Sequence, residues 1–468
     1  MKSILKILGG VMLSVLPALA QSTLILRGPS DAPLGSFAAS DPEASSTGQG
    51  SREAPTNQSL PNPAFRLSVK DAEAIALKNN PAISVARLSA MASHEVTREV
   101  RSNLWPQSFA DLTGVDAHDN SRISAGGLNN PIIYSRAAGG LTVSQLITDF
   151  GHTTNLVAGA RLHEQAEGQN AVATREQVLL AVNQAFYSAL QTHAVLRVAE
   201  QTEASRQLLS DQVAALTNSK LKSDLDLSFA NVNLAQAKRL YLDALNNDKA
   251  AMAAFSAILG YATVQDFELV PDAEPLSPPP ANIDELLADA FSKRPEILAL
   301  QFESQSAEKL HKADRDQLLP TISALGAVGD APIRDDRISS WYGAVGVNVQ
   351  IPIFNGLLYT SKAHESDLEA KAAQQRVLDL RNQIARDVRT SWLNASTAYD
   401  RVSVSEQLLS QANQAFDLAQ TRYKLGLSSI VELSQAQLQQ TQAEIGSAQA
   451  EYEYRLTLSV LRYQTSGL

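Results

Sequence analysis

The stretch TSKAHESDLEAKAAQQRVLDLRNQIARDVRTSWLNASTAY, residues 360–399, is rich in Ala, Leu, Gln, Glu and Arg and has no proline. It lies in a proline-free window of 116 residues, Ile353 to Leu468, and a second window of 139 residues runs from Ile132 to Val270. A proline inside a helix costs about 3 kcal/mol, so both windows predict very long helices. Thr154 to Leu216 and Tyr359 to Arg422 would each run about 95 Å at 1.5 Å per residue. Pro271, Pro275, Pro278, Pro279 and Pro280 crowd one short segment instead. Residues 271–281 read as a linker between two halves, 65–270 and 282–468.

The halves repeat. Asn80-Pro81 matches Arg294-Pro295, and Trp105-Pro106 matches Leu319-Pro320, both at an offset of 214. Later the offset becomes 206: Val178, Val182 and Phe186 align with Ile384, Val388 and Trp392, and Ala230, Ala237 and Ala244 with Ala436, Ala443 and Ala450. The slip falls in the loop Asp119 to Ser135, longer than its counterpart Asp330 to Ser340. Self-similarity of this kind marks a duplicated unit. Each half reads as helix, two strands, long helix, turn, helix. The strands are Gln107 to Ala117, Arg136 to Thr148, Thr321 to Val328 and Trp341 to Ile351. In the last, Trp341, Val345, Val347, Val349 and Ile351 alternate with Tyr342, Ala344, Gly346, Asn348 and Gln350. That period of two fits a strand between an apolar phase and water; a half-buried soluble sheet gives the same pattern. The expected helices beside them are Leu67 to Leu104, Leu227 to Leu259, Ile283 to Leu318 and Val431 to Tyr463. The last carries two heptad-spaced rows, Val431/Leu438/Ile445/Tyr452 and Ala436/Ala443/Ala450, about 200° apart around the axis. Two opposed seams fit a closed tube of helices; one coiled-coil partner, with the alanines exposed, is the alternative.

The 468 residues are 44% hydrophobic and 19% charged, with a net charge of −10, 7 histidines and no cysteine. The acidic balance argues against nucleic-acid binding. The missing cysteines exclude disulfides, thiolate metal sites and an N-terminal lipid anchor. Lys2, Lys6, the apolar run Ile7 to Leu16 and Ala18-Leu19-Ala20 form a signal peptide, residues 1–20, cut before Gln21. Residues 21–64 are a flexible arm rich in Ser, Pro and Gly. Beyond the signal no apolar run reaches the ~18 residues of a membrane helix, so any membrane span must be a β-barrel. His94-Glu95, His163-Glu164 and His364-Glu365 never extend to His-Glu-x-x-His, and no nucleophile elbow, phosphate loop or dinucleotide fingerprint is present. No catalytic residue, cofactor or metal site is expected. An exported coiled-coil scaffold shares the long helices but leaves the duplicated strand pairs unexplained.

The order of elements, repeated twice over Leu67 to Tyr463, resembles the TolC-type outer-membrane efflux proteins. Val349-Gln350-Ile351-Pro352-Ile353-Phe354-Asn355-Gly356 is similar to that family's strand-to-helix motif, with Val143 to Gly151, including Asp149 and Gly151, as its first-half counterpart. Arg422-Tyr423-Lys424-Leu425-Gly426, continuing through Ile430, Glu432 and Leu433 to Ala436, is similar to the family's periplasmic helix turn. The resemblance implies a mainly α fold with a small β part. As a homotrimer it would form a 12-stranded barrel in outer-membrane lipid, continued by a periplasmic α-helical barrel. It further implies passive export of small molecules such as drugs, with a periplasmic adaptor and an inner-membrane pump of RND or ABC type. A type I protein-secretion duct is the alternative.

The resemblance places Glu432 and Gln435 at the narrowest ring of the tip, where only Glu432 keeps the family's carboxylate. A solvated helix-start carboxylate is the plainer reading of Glu432. Tyr423 and Asp226 fall on the family's tip lock, implying a hydroxyl–carboxylate bond, while Ser428 occupies the lock's arginine position. Gly426 is the turn glycine of the second half; in the first half Lys220 stands there, and Asn218 is expected to supply the left-handed turn residue. Lys220 and Lys222 would be exposed, either meeting an adaptor or simply solvated.

Overall fold

A computed structural model describes residues 65–118, 135–271, 274–334 and 339–466. The signal and arm, and most of the loop Asp119 to Ser135, lie outside the described residues. The first half runs β1 (Phe65–Leu67), α1 (Val69–Asn79), α2 (Pro81–Ser102), β2 (Gln107–Val115), β3 (Arg136–Thr148), α3 (His152–Asn218), α4 (Asp224–Ile258). The second runs β4 (Phe267–Leu269), α5 (Ile283–Lys293), α6 (Pro295–Asp316), β5 (Thr321–Ile333), β6 (Trp341–Gln350), α7 (Leu358–Lys424), α8 (Ile430–Ser466). Both long helices have 67 residues, about 100 Å each. No helix among the described residues is long and apolar enough to cross a membrane.

The helix expected over Leu67 to Leu104 is two helices, as is its counterpart over Ile283 to Leu318. Proline disfavours the α region for the residue before it. Asn80 (φ −68°, ψ 123°) and Arg294 (φ −66°, ψ 123°) are accordingly extended, and Pro81 and Pro295 each start a new helix. The break is then bound in the same way in both halves. The Asn80 amide donates to the Ile258 carbonyl at 2.9 Å, and Arg294 Nη1 donates to Gln464 Oε1 at 2.6 Å. Those pairs stand at the repeat offsets of 214 and 206. Arg294 also holds the Glu296 carboxylate, through Nε at 3.2 Å and Nη2 at 3.0 Å, and Tyr463 Oη donates to it at 3.0 Å. Burial pushes the Glu296 carboxyl up, but these donors outweigh it and hold it below the ordinary range.

The turns repeat as well. Two consecutive left-handed residues launch each long helix: Phe150 and Gly151 before α3 (φ 55° and 121°), Gly356 and Leu357 before α7 (φ 63° and 68°). Asp149 is buried and takes the Thr153 N–H at 2.7 Å, satisfying a donor at the start of α3. At the other end, Lys220 and Gly426 are left-handed (φ 61° and 72°). Leu221 N–H bonds the Leu216 carbonyl and Leu427 N–H the Arg422 carbonyl, at 2.9 and 2.8 Å, which is the Schellman closure. Lys220 itself therefore takes the turn position expected of Asn218, which ends α3.

Packing follows the duplicated pattern. Val178, Val182 and Phe186 of α3 join Val69, Ala72 and Ala76 of α1 in one core, and Ile384 and Val388 of α7 join Leu287 and Ala290 of α5 in the matching one. The alanine rows of α4 and α8 are buried, whereas Val232, Val431 and Leu438 are exposed. This is the reverse of a lone coiled coil with alanine outside. The two repeats also touch: α3 packs on α6 and α8 as well as on α2 and α4. Gly159 makes the α3–α6 approach close. Its carbonyl accepts from Ser306 Oγ at 2.9 Å, and a Cβ there would meet Leu310 at 3.2 Å. The proline-rich segment lies along the second repeat, with Trp392 Nε1 donating to the Pro280 carbonyl at 2.7 Å and Tyr454 Oη to that of Ser277.

Among the described residues, the strand segments 108–118, 135–142, 326–334 and 339–344 form a compact unit of their own. The sheet order is β2-β3-β5-β6, so β3 pairs with a strand of the other repeat and β2 and β6 are the edges. β2 stops two residues before the expected Ala117, and β5 continues past Val328 to Ile333, shortening the loop placed at Asp330 to Ser340. The Tyr342 ring crosses Gly329 of β5 and reaches Gly140 of β3, so a Cβ at either glycine would strike it. A second sheet, absent from the sequence reading, pairs β1 with β4 in parallel, Arg66 beside Glu268.

A non-glycine residue in the left-handed region costs about 1 kcal/mol or more. Gly426→Ala is therefore expected to destabilise by about 1 kcal/mol, whereas Lys220→Gly is neutral or stabilising. Denaturant midpoints of the two variants check this. Glu296→Gln tests the helix break. Because the folded carboxyl titrates below its unfolded value, its contribution is present at neutral pH and lost as pH falls through the folded value. The variant should melt lower than the parent at pH ~7 and approach it in acid.

Candidate functional site: the helical tip

The tip is where α3 turns into α4 and α7 into α8. Ser223 and Ser429 occupy matching positions before α4 and α8, and Asp226 and Glu432 match three residues later. Ser223 and Asp226 make a complete capping box: the Asp226 N–H bonds Ser223 Oγ at 3.1 Å, and Asp226 Oδ2 accepts the Ser223 N–H at 3.1 Å. At α8 only the first of these forms, Glu432 N–H to Ser429 Oγ at 3.3 Å. The Glu432 carboxylate instead turns to Arg422, 3.5 Å from its Nε. Both side chains are exposed, as is that of Gln435, so this pairing is worth less than about 1 kcal/mol.

The hydroxyl–carboxylate bond implied for Tyr423 and Asp226 is not made. Asp226 is taken by its own helix cap, and the Tyr423 hydroxyl is buried without a hydrogen-bond partner. Burial, and next the Asp226 charge, raise the Tyr423 hydroxyl above its ordinary range, so it stays neutral. What holds the ring is Lys222, whose Nζ lies 3.9 Å from the ring centroid, a cation–π contact. Lys222 is therefore half-buried and ties the first-half turn to the end of α7, while Lys220 is exposed. Tyr423 also packs with Ile430, Leu433, Leu209 and Phe229, a small core drawn from both repeats.

A buried arginine adds a second tie. Arg206 of α3 donates through Nη2 to the Gln437 carbonyl at 3.1 Å and to Thr441 Oγ1 at 3.2 Å, both on α8. Burial pulls its pKa down to about 10, with the Glu444 charge working in the opposite sense. Asn233 of α4 donates to Ser434 Oγ of α8 at 2.7 Å. Arg206, Asn233, Ser434 and Gln437 line a cavity of about 410 Å³ together with Leu240, Leu438 and Ile445. Sequence reasoning missed this group because nothing in spacing or composition sets Arg206 apart; its repeat counterpart is Ala412.

A family model described as "Outer membrane efflux protein" matches residues 74–261 and 286–463, one segment in each repeat. The chain belongs to the outer membrane efflux protein family. Its relatives include outer membrane efflux protein BepC of Brucella suis biovar 1 (strain 1330), 24% identical over 81% of this chain and 80% of the relative. Outer membrane protein TolC of Escherichia coli (strain K12) is 22% identical over 80% of this chain and 77% of the relative. In fold, a membrane protein of Pseudomonas aeruginosa superposes with a TM-score of 0.75 at 21% identity, covering 85% of this chain and 93% of that one. The efflux protein is placed in the outer membrane, and β2, β3, β5 and β6 are the elements that suit that phase.

Two outcomes separate the roles of the Tyr423 ring and its hydroxyl. Tyr423→Phe removes a buried polar group that has no partner and keeps the ring, so stability should hold or rise by up to about 1 kcal/mol. Tyr423→Ala empties a core position and should cost about 3–5 kcal/mol. Thermal melts of both variants decide it.

Proposed function

We propose that three copies of this chain form a twelve-stranded barrel in the outer membrane, continued as an α-helical duct across the periplasm. Through it, small molecules such as drugs leave passively. The supporting observation is that the contacts between repeats are made once in the chain and left unmade at its flanks. β3 pairs with β5, so by the duplication β6 of one copy would pair with β2 of the next. α3 is covered by α6 and α8, and by the same rule α7 would be covered by α2 and α4 of a neighbour. The exposed apolar side chains fit this. Leu393 and Leu408 of α7 are 57% and 60% exposed, while Tyr187 and Thr202 at the matching positions of α3 are 7% and 8%. On β6, Val345, Val347 and Val349 project one way and are all exposed, as a lipid-facing row would be.

The duct is a conduit and not an enzyme; energy would come from an inner-membrane pump through a periplasmic adaptor. At the tip, three Glu432 carboxylates around the axis would favour cations and set an electrostatic barrier, each moderated by Arg422. Closure would rest on Arg206, Asn233 and the Lys222–Tyr423 contact, which bind α7 and α8 to α3 and α4, in place of the arginine that Ser428 replaces. The exposed Lys220 is then a contact for the adaptor.

Electron microscopy of the detergent-purified protein should show a hollow three-fold particle much longer than wide; solid rods or compact monomers would sink the duct reading. In planar bilayers, Glu432→Gln should lower cation preference without changing trimer yield. Arg206→Met removes charge-assisted bonds worth roughly 2–3 kcal/mol and should raise conductance, and an unchanged conductance would remove Arg206 from the closure.

A further inference from the structure

His163 and Glu167 lie one turn apart on one face of α3, and Glu303 of α6 faces them. His163 Nδ1 is 2.6 Å from Glu303 Oε1. A ligand atom from each of the three side chains lies within 4.8 Å of the other two. Two ligands on one tetrahedral ion are about 3.4 Å apart when each bond is about 2.1 Å, so shifts of up to roughly 1.4 Å would close all three on one cation. We propose that His163, Glu167 and Glu303 bind a divalent transition-metal cation, Zn²⁺ in the first instance, joining the first repeat to the second.

Three features support the assignment. The backbone is fixed where the ligands need it: Gly159, one turn before His163, is pinned to Ser306, one turn after Glu303, by the 2.9 Å bond and the close α3–α6 approach. Ligands carried on packed helices are held more exactly than ligands on loops. The donor set is one imidazole and two carboxylates without a thiolate, which suits borderline divalent ions over soft Cu(I) or all-oxygen Ca²⁺. His163 is exposed and the two glutamates half-buried, so an ion can enter from solvent and keep water in a remaining position. Glu167 takes the Asn170 amide on Oε1 at 3.1 Å, leaving Oε2 to ligate. The next residue, Glu164, points to the other side of α3, to His94 of α2 at 2.8 Å, and is not part of the set. Only the His163/Glu167 spacing of four is visible along the chain, because Glu303 comes from the other repeat.

The test is calorimetric titration of ZnCl₂ into the chelator-stripped, full-length protein in detergent at about pH 7.5. One Zn²⁺ per chain is expected, weakened at least about tenfold in His163→Gln and in Glu303→Gln and unchanged in Glu164→Gln. Co²⁺ in the unaltered protein should give visible absorption of a low-coordinate nitrogen–oxygen site, which keeps the test decisive if a variant folds poorly. No binding by the unaltered protein, equal binding by all variants, or a Co²⁺ spectrum matching the aqueous ion would each overturn the site and leave His163–Glu303 as an ion pair only.

Discussion

A strand edge cannot be left open in lipid. Each unpaired N–H or C=O there costs several kcal/mol, because no water is present to take its place. The four-stranded sheet has two edges, β2 and β6, and four strands are too few to close on themselves around a lumen. In the proposed assembly the rest of the molecule is subordinate to this constraint. The duplication supplies a solution, since a chain whose third and fifth strands pair already carries both halves of a joint that can be repeated between copies.

The helices obey the same rule for a different reason. Here the driving force is burial of apolar area, about 25 cal/mol per Å², and the surfaces to be buried are already specified within one chain. Thr97 Oγ1 of α2 bonds the Ala160 carbonyl of α3 at 3.2 Å, and His311 of α6 bonds the Ala363 carbonyl of α7 at 3.0 Å. Thr97 and His311 are related by the offset of 214. With the small residues of α4 and α8 inside, neighbouring helices approach closely, and in the proposed trimer the larger, exposed Val and Leu side chains would be left for contacts with neighbouring copies. The repeat is broken at the tip in small ways: Arg206 against Ala412, Lys220 against Gly426, and Asp226 in a full capping box against Glu432 turned to Arg422.

Much of the fold was legible because it depends on local rules. Proline-free windows located α3 and α7 to within two residues at either end. The matched Asn80-Pro81 and Arg294-Pro295 pairs exposed the duplication, and the same prolines break each expected single helix in two. The family resemblance pointed to the helix turn between α7 and α8. Legibility failed where the answer depends on a partner distant in sequence. Asp226 and Tyr423 are both at the tip, but the local Ser223 cap competes successfully for the carboxylate, and Lys222 reaches the ring by a contact that no spacing announces. Arg206, buried between α3 and α8, had no signal, and the three-residue β1–β4 pairing is too short for any period. Lys220 shows the opposite limit: a turn that the second repeat builds with glycine is closed in the first by the same backbone bonds, Leu221 N–H to the Leu216 carbonyl, against the residue's own preference.

The central claim is that the contact between repeats is used again between copies. Gly159 of α3 and Ser306 of α6 touch within the chain; shifted by the repeat offsets, they become Glu365 of α7 and Ala92 of α2, both exposed here. The chain has no cysteine, so the pair Ala92→Cys with Glu365→Cys can be oxidised without background, and disulfide formation requires Cα atoms within about 7 Å. The account predicts covalent dimers and trimers from the double variant and no cross-linked species from either single variant. A double variant that stays monomeric after oxidation, or that closes its disulfide within one chain, would contradict it.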